Sequence, residues 1–276
     1  MQLNEPVQNS KVFPQNYKVF PEEGTDIYVN QMPKLIAEGR TPLSTTGLMK
    51  RRLEVKNASE PVRNSWLYNR FDTGDGIIYH PDGRAKIALD AQPLREITPS
   101  SKLINGALVL DSYDGFGDLE LSKEELEKYE DNDSHKRKEV LNNRIWRMLA
   151  RHPDEVPEEL AEDPKLLKEY SDLVFLEGFD RRVIGLYKFS PQDTPTMRAW
   201  YVYRLAGSWS NAFNWGRLDD KSALLVGVAG VAPEVRNAPQ EGVVRPTLEQ
   251  VTAVINPHLS NYGRDVVMKD LERLYQ

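Results

Sequence analysis

The sequence predicts an α+β fold, and three observations point there. Strand-like stretches fall in two runs, about 64–110 and 182–231, rather than alternating with helices. Between the runs, 118–178 carries helix-start signals and helical spacing of apolar residues. After them, 246–276 reads as C-terminal helices broken at Asn256-Pro257. Antiparallel sheet segments with a helical insert are therefore expected, not a doubly wound sheet. The organisation that follows is an extended arm plus an α/β segment over 1–117, an acidic helical lobe over 118–178, and a β segment with C-terminal helices over 179–276. These together make one composite domain with the lobe inserted.

The elements follow in order. Residues 1–25 carry Pro6, Pro14 and Pro21 among polar residues, which predicts an extended arm docked by Phe13, Tyr17 and Phe20. Residues 27–40 predict a helix, or a strand turning into one, ended by Gly39. Thr41-Pro42-Leu43-Ser44-Thr45-Thr46-Gly47 has loop composition and leads into 48–55, where Lys50, Arg51 and Arg52 cluster. Ile77-Ile78-Tyr79 is an apolar run, and His80-Pro81-Asp82-Gly83 a turn. Ala85, Ile87 and Leu89 then alternate with Lys86, Ala88 and Asp90, the period of a half-buried strand. Asp75-Gly76, Asn105-Gly106 and Asp114-Gly115 add hairpin signals, so 64–110 reads as an antiparallel meander.

In the insert, Ser122 and Glu125 form a capping-box pattern with Leu121 and Leu126 as its staple. A helix over 134–151 places Leu141, Ile145, Met148 and Leu149 on one face. Another opens at Asp163-Pro164 and closes at Gly178. The strand candidates that follow are 182–189, 196–205 and 223–231, the second rich in aromatic and β-branched residues.

Composition narrows the function classes. The 276-residue chain is long enough for a substantial core, and its 39% hydrophobic and 28% charged residues are those of a folded protein. It has no cysteine, which excludes disulfides, thiolate nucleophiles and zinc–sulfur sites. The first fourteen residues are polar and lack the apolar stretch of a secretory signal. The longest nearly uncharged apolar run, 223–233, is about half of what spans a bilayer. No membrane and a cytoplasmic location are expected. The net charge of −6 is concentrated in 118–172, which holds 17 acidic and 10 basic side chains. A protein whose whole surface grips nucleic acid is normally basic, so only a local basic patch is left open.

Standard chemistry motifs are missing: there is no GxxxxGK[ST], no GxGxxG after a strand, no HExxH, no GxSxG and no kinase set. His80, His135, His152 and His258 are widely separated. A restriction-type nuclease would need an acid, then Asp or Glu, any residue, and Lys, around a divalent metal. Asp26 with Glu54-Val55-Lys56 fits, but Asp163-Pro164-Lys165 and Asp219-Asp220-Lys221 fit as well. Two Asp-x-x-Asp-Gly turns make Asp72, Asp75, Asp111 and Asp114 candidate ligands for a divalent cation; plain turn chemistry accounts for them equally. No motif requires a cofactor.

Two binding candidates stand out. Lys50, Arg51 and Arg52 sit in a hydroxyl-rich basic stretch, 44–56, that could hold phosphate, or could pair with acids of the lobe. The aromatic cluster at 200–215 is the more unusual. Alternation puts Arg198, Trp200, Val202 and Arg204 on one strand face and Ala199, Tyr201, Tyr203 and Leu205 on the other. With Trp209 and Trp215, the arginine–tryptophan face suits a protein hot spot or a stacked base. The competing account packs Trp200 against the insert, with the arginines bonded to its carboxylates. The function expected is a non-catalytic binding or assembly protein whose partner is another protein or a nucleic acid strand. The alternative is a metal-dependent hydrolase, such as a phosphodiesterase or nuclease. Homo-oligomerisation is left open.

Overall fold

The computed structural model describes residues 12–20, 26–116, 119–128, 137–178, 192–205, 212–221 and 223–229, with backbone alone at 137–138, 176–178 and 212–216. The chain divides into two compact units, Met1–Gly230 and Val231–Gln276. The expected C-terminal helices fall in the second, which lies outside the described residues.

Ten strands form one sheet among the described residues: β1 Tyr17–Phe20, β2 Arg40–Pro42, β3 Phe71–Tyr79, β4 Ala85–Ala88, β5 Leu103–Ile104, β6 Ala107–Val109, β7 Leu119–Leu121, β8 Thr196–Val202, β9 Ala212–Gly216 and β10 Leu224–Ala229. The helices are α1 Tyr28–Ala37, α2 Thr45–Glu54, α3 Glu60–Leu67, α4 Gln92–Arg95, α5 Lys123–Glu127, α6 Arg137–Val140, α7 Arg144–Leu149 and α8 Leu166–Gly178. The α+β expectation holds.

Strand β3 is the centre, buried along its whole length. One edge pairs antiparallel with β8. The other edge forks. Phe71 and Asp72 pair in parallel with Leu224 and Leu225 of β10, while Gly76 to Tyr79 pair antiparallel with β4. At the fork, between Asp72 and Gly76, the β8 register also shifts, the signature of a bulge. Its free backbone groups are satisfied from outside the ladder. Gly74 N–H donates to Leu43 O at 3.0 Å, and Gly74 O accepts from Ala91 N–H at 2.8 Å. The hydroxyl of Tyr28 donates to Thr73 O at 3.2 Å, and Thr73 Oγ1 donates to Trp200 O at 2.8 Å. A Cβ on Gly74 would stand 2.7 Å from Pro42 Cγ, so the bulge closes only around glycine.

Local signals explain most boundaries. Gly39, at φ +67°, ends α1, and Asn105 and Gly106, both at positive φ, close the β5–β6 hairpin. The capping box forms: Ser122 Oγ accepts from Glu125 N–H at 3.1 Å, and Glu125 Oε2 accepts from Ser122 N–H at 2.8 Å.

Four expectations are corrected. The expected basic loop at 44–56 is mostly helix, because Ser44 Oγ accepts from Gly47 N–H and starts α2 there. The run 64–110 is not all strand: Glu60-Pro61 opens α3, and Pro93 sits in the first turn of α4. The single helix over 134–151 is two among the described residues, since Asn143 caps a new start by accepting from Trp146 N–H at 3.1 Å. The arm is more than an extended segment, because Tyr17 to Phe20 form a strand paired with Val228 to Leu225.

The sheet separates two cores. One holds Trp66, Trp146 and Trp200 with the inner faces of α2, α7 and α8; the other holds Tyr28, Met32 and Leu35 of α1, Leu94 of α4, and Met197 and Leu225 of the sheet. The arm docks as expected through Phe13 and Tyr17, each edge-on to Trp66 at 4.9 Å, while Phe20 joins the other core. Arg52 latches the first core. It is 0% exposed. Its Nε donates to Trp66 O at 2.9 Å and its Nη1 to the Tyr170 hydroxyl at 2.8 Å; its Nη2 donates to Asn69 O at 3.3 Å and Tyr203 O at 3.0 Å.

Candidate functional site

The expected arginine–tryptophan face is interior for most of its length. Trp200 is 0% exposed and shares a core with Trp146 and α8. This is the packing that competes with a binding role. Arg198 is 1% exposed, and its Nη2 donates to Asn105 O at 2.5 Å. Burial pushes its guanidinium down to about 10, with Asp219 opposing. Trp209 lies outside the described residues. Trp215 falls on β9, which pairs with β8, and only its backbone is described.

The three cations of α2 part company. Lys50 reaches Glu162 of the insert at 2.6 Å. Arg51 pairs with Glu54 at 2.8 Å and lies 5.3 Å from both the Tyr17 and Trp66 rings. Arg52 is the latch already described. No phosphate cradle is assembled from them. Glu54 and Lys56 lie on helical turns, not on a strand, and Asp26 accepts from Ile27 N–H and from the side chains of Asn30 and Lys34 at the start of α1.

The four aspartates of the two turns also separate. Asp111 and Asp114 are exposed, Asp114 at 95% with Lys86 3.9 Å away. Asp75 is buried in the β3 fork, where Oδ2 accepts from Thr45 N–H at 2.6 Å and Oδ1 from Asp90 N–H at 2.9 Å. Burial raises its carboxyl above the usual range, and these two N–H donors hold it back. Among the described residues, no group of three or more His, Asp or Glu could hold a metal ion. Asp75 therefore ties α2 to the turn after β4. Asp75→Asn should lower stability by about 1–3 kcal/mol, because an amide NH2 would face one of those N–H groups. A urea midpoint within error of the parent would show that the two bonds carry little.

Where β8 ends, the chain turns partly outward. Tyr203 is partly exposed, and the Arg70 guanidinium lies 4.5 Å from its ring centre while Nη2 donates to its hydroxyl at 2.7 Å. Arg204 lies 5.9 Å from the same ring. Tyr201 meets Tyr203 edge-on at 6.0 Å and packs with Ala223. In register with Tyr201 stands Asp72, 6% exposed. Burial and the nearby Asp220 push its carboxyl up to about 8. Arg70 and Tyr203 were not readable as a pair: 133 positions separate them, and alternation assigns Tyr203 to the core face. The one signal was an arginine flanking an aromatic strand end, as Arg204 does.

No family model matches this chain, and no curated protein matches it in sequence. Among solved structures, one from work on the accommodation of massive sequence variation in Nanoarchaeota by the C-type lectin fold is similar, with a TM-score of 0.51 and 17% identity. The match covers 77% of this chain and 95% of that one. At that identity the likeness concerns the fold, and the α+β sheet described above has a C-type lectin neighbour.

Proposed function

We propose that this is a non-catalytic binding protein that docks an acidic protein surface on Arg70, Tyr203 and Arg204 at the end of β8. The observation that carries the reading is a tyrosine ring flanked by two guanidiniums at a partly exposed strand end. Tyrosine and arginine dominate hot spots because a large, stiff apolar body comes with a polar or charged tip. The Nanoarchaeal structure is described as accommodating massive sequence variation, and such tolerance suits a scaffold whose surface side chains choose the partner.

Peptides selected from a random displayed library on the immobilised protein test this. They should be rich in Asp and Glu and bind Tyr203→Ala at least about tenfold more weakly. The variant should stay folded, because the bond from Arg52 is to the Tyr203 backbone, with a modest drop in melting temperature from the lost Arg70 bond and Tyr201 ring contact. Selected peptides that bind the variant as tightly as the parent, or no selection at all, would sink the reading. Enrichment blocked by a single-stranded oligonucleotide would move it to the nucleic-acid alternative.

A further inference from the structure

We propose that Asp72 is the floor of a receptor for an organic cation, an ammonium or guanidinium group carried by a ligand, with Tyr201 as its wall and Asp220 as its second carboxylate. Asp72 is nearly buried, yet no hydrogen bond or ion pair satisfies its carboxyl among the described residues. Contrast Asp75, three positions on, whose two oxygens each accept a backbone N–H. A buried, unpaired carboxylate is costly unless it takes up a proton or meets a cation. Its surroundings favour the second partner once the group is ionised. Tyr201 is its cross-strand neighbour on the same face of the sheet, with Tyr203 edge-on behind it, and aromatic rings attract organic cations.

Among the described residues, the titratable groups that bear on Asp72 are Asp220 before β10, Tyr28 of α1 and its cross-strand neighbour Tyr201 of β8; none of these is a cation. Arg70, on the same side of β3, is turned to Tyr203. Two carboxylates without a third ligand suit a soft, directional guanidinium better than a hard metal ion, which wants six or more oxygens. Burial and Asp220 together hold the group protonated to about pH 8, so the site opens to a cation only in alkaline solution unless the ligand itself draws the proton off.

This inference does not depend on the peptide-docking reading, because Asp72→Asn leaves Arg70 and Tyr203 in place. The test is saturation-transfer NMR of methylguanidinium with the full chain at pH 6 and pH 9, with calcium chloride as a competitor. Binding is expected at pH 9, at least about tenfold weaker at pH 6 and in Asp72→Asn, and weakened in Asp220→Asn. Should Asp72→Asn fail to fold, the parent's pH dependence decides alone. No binding at pH 9, equal binding at both pH values, equal binding to Asp72→Asn, or displacement by millimolar calcium would each overturn the proposal.

Discussion

Replacing Arg52 by alanine should cost about 4 kcal/mol or more, a large share of the roughly 5–15 kcal/mol that holds a domain folded. The guanidinium is the donor for three backbone carbonyls, those of Trp66, Asn69 and Tyr203, and for the Tyr170 hydroxyl. Each buried acceptor left without a donor costs roughly 1–3 kcal/mol, and the vacated volume adds a cavity term. Arg52→Lys keeps the charge but offers one compact ammonium where a planar fork is needed. It should recover less than half of the loss. Urea unfolding followed by tryptophan fluorescence reads both variants. A loss below about 1 kcal/mol for alanine would mean that water replaces the guanidinium and that the latch is not structural.

Asp72→Asn should do the reverse and stabilise the protein, increasingly so toward alkaline pH. The folded carboxyl titrates near 8 and the unfolded one near 3.8. The folded state therefore holds a proton that the unfolded state has released, and stability falls as pH rises through that window. Below pH 4 parent and variant should be alike. By pH 9 the variant should lead by up to about 6 kcal/mol, with no further gain above. Melting temperatures across pH 4 to 9 decide it. Parallel curves would show that Asp72 is ionised and stabilised in the fold by something other than the groups named here.

Much of the architecture could be read from short-range chemistry. The capping box at Ser122, the positive-φ pair Asn105-Gly106 and the stop at Gly39 are local events, and each occurs as its residues imply. What could not be read was long-range. The β3 fork depends on β10 meeting Phe71 and Asp72 in parallel, a pairing that no neighbouring residue encodes. The alternation 198–204 was real, but alternation says only that two faces differ, not which is covered. A helical layer covers Trp200, and a carbonyl 93 positions away takes Arg198. Arg52 illustrates the same limit: its type suggested a surface cation, while its partners arrive from α3, α8 and the end of β8.

The position of β10 also dictates when the protein can fold. This strand pairs with β1, β2 and β3, all within the first 79 residues, yet it is not complete until Ala229. A ribosome making the chain would expose those three elements for most of synthesis with no partner along one edge. Local hairpins such as β3–β4 can form early, but closing the sheet must wait for its late strand, and such distant pairings fold slowly. In that interval the strand Phe71–Tyr79, buried in the finished sheet, has an open edge for self-association, so yield in a fast-expressing cell should depend on chaperone supply more than on the stability of the finished fold.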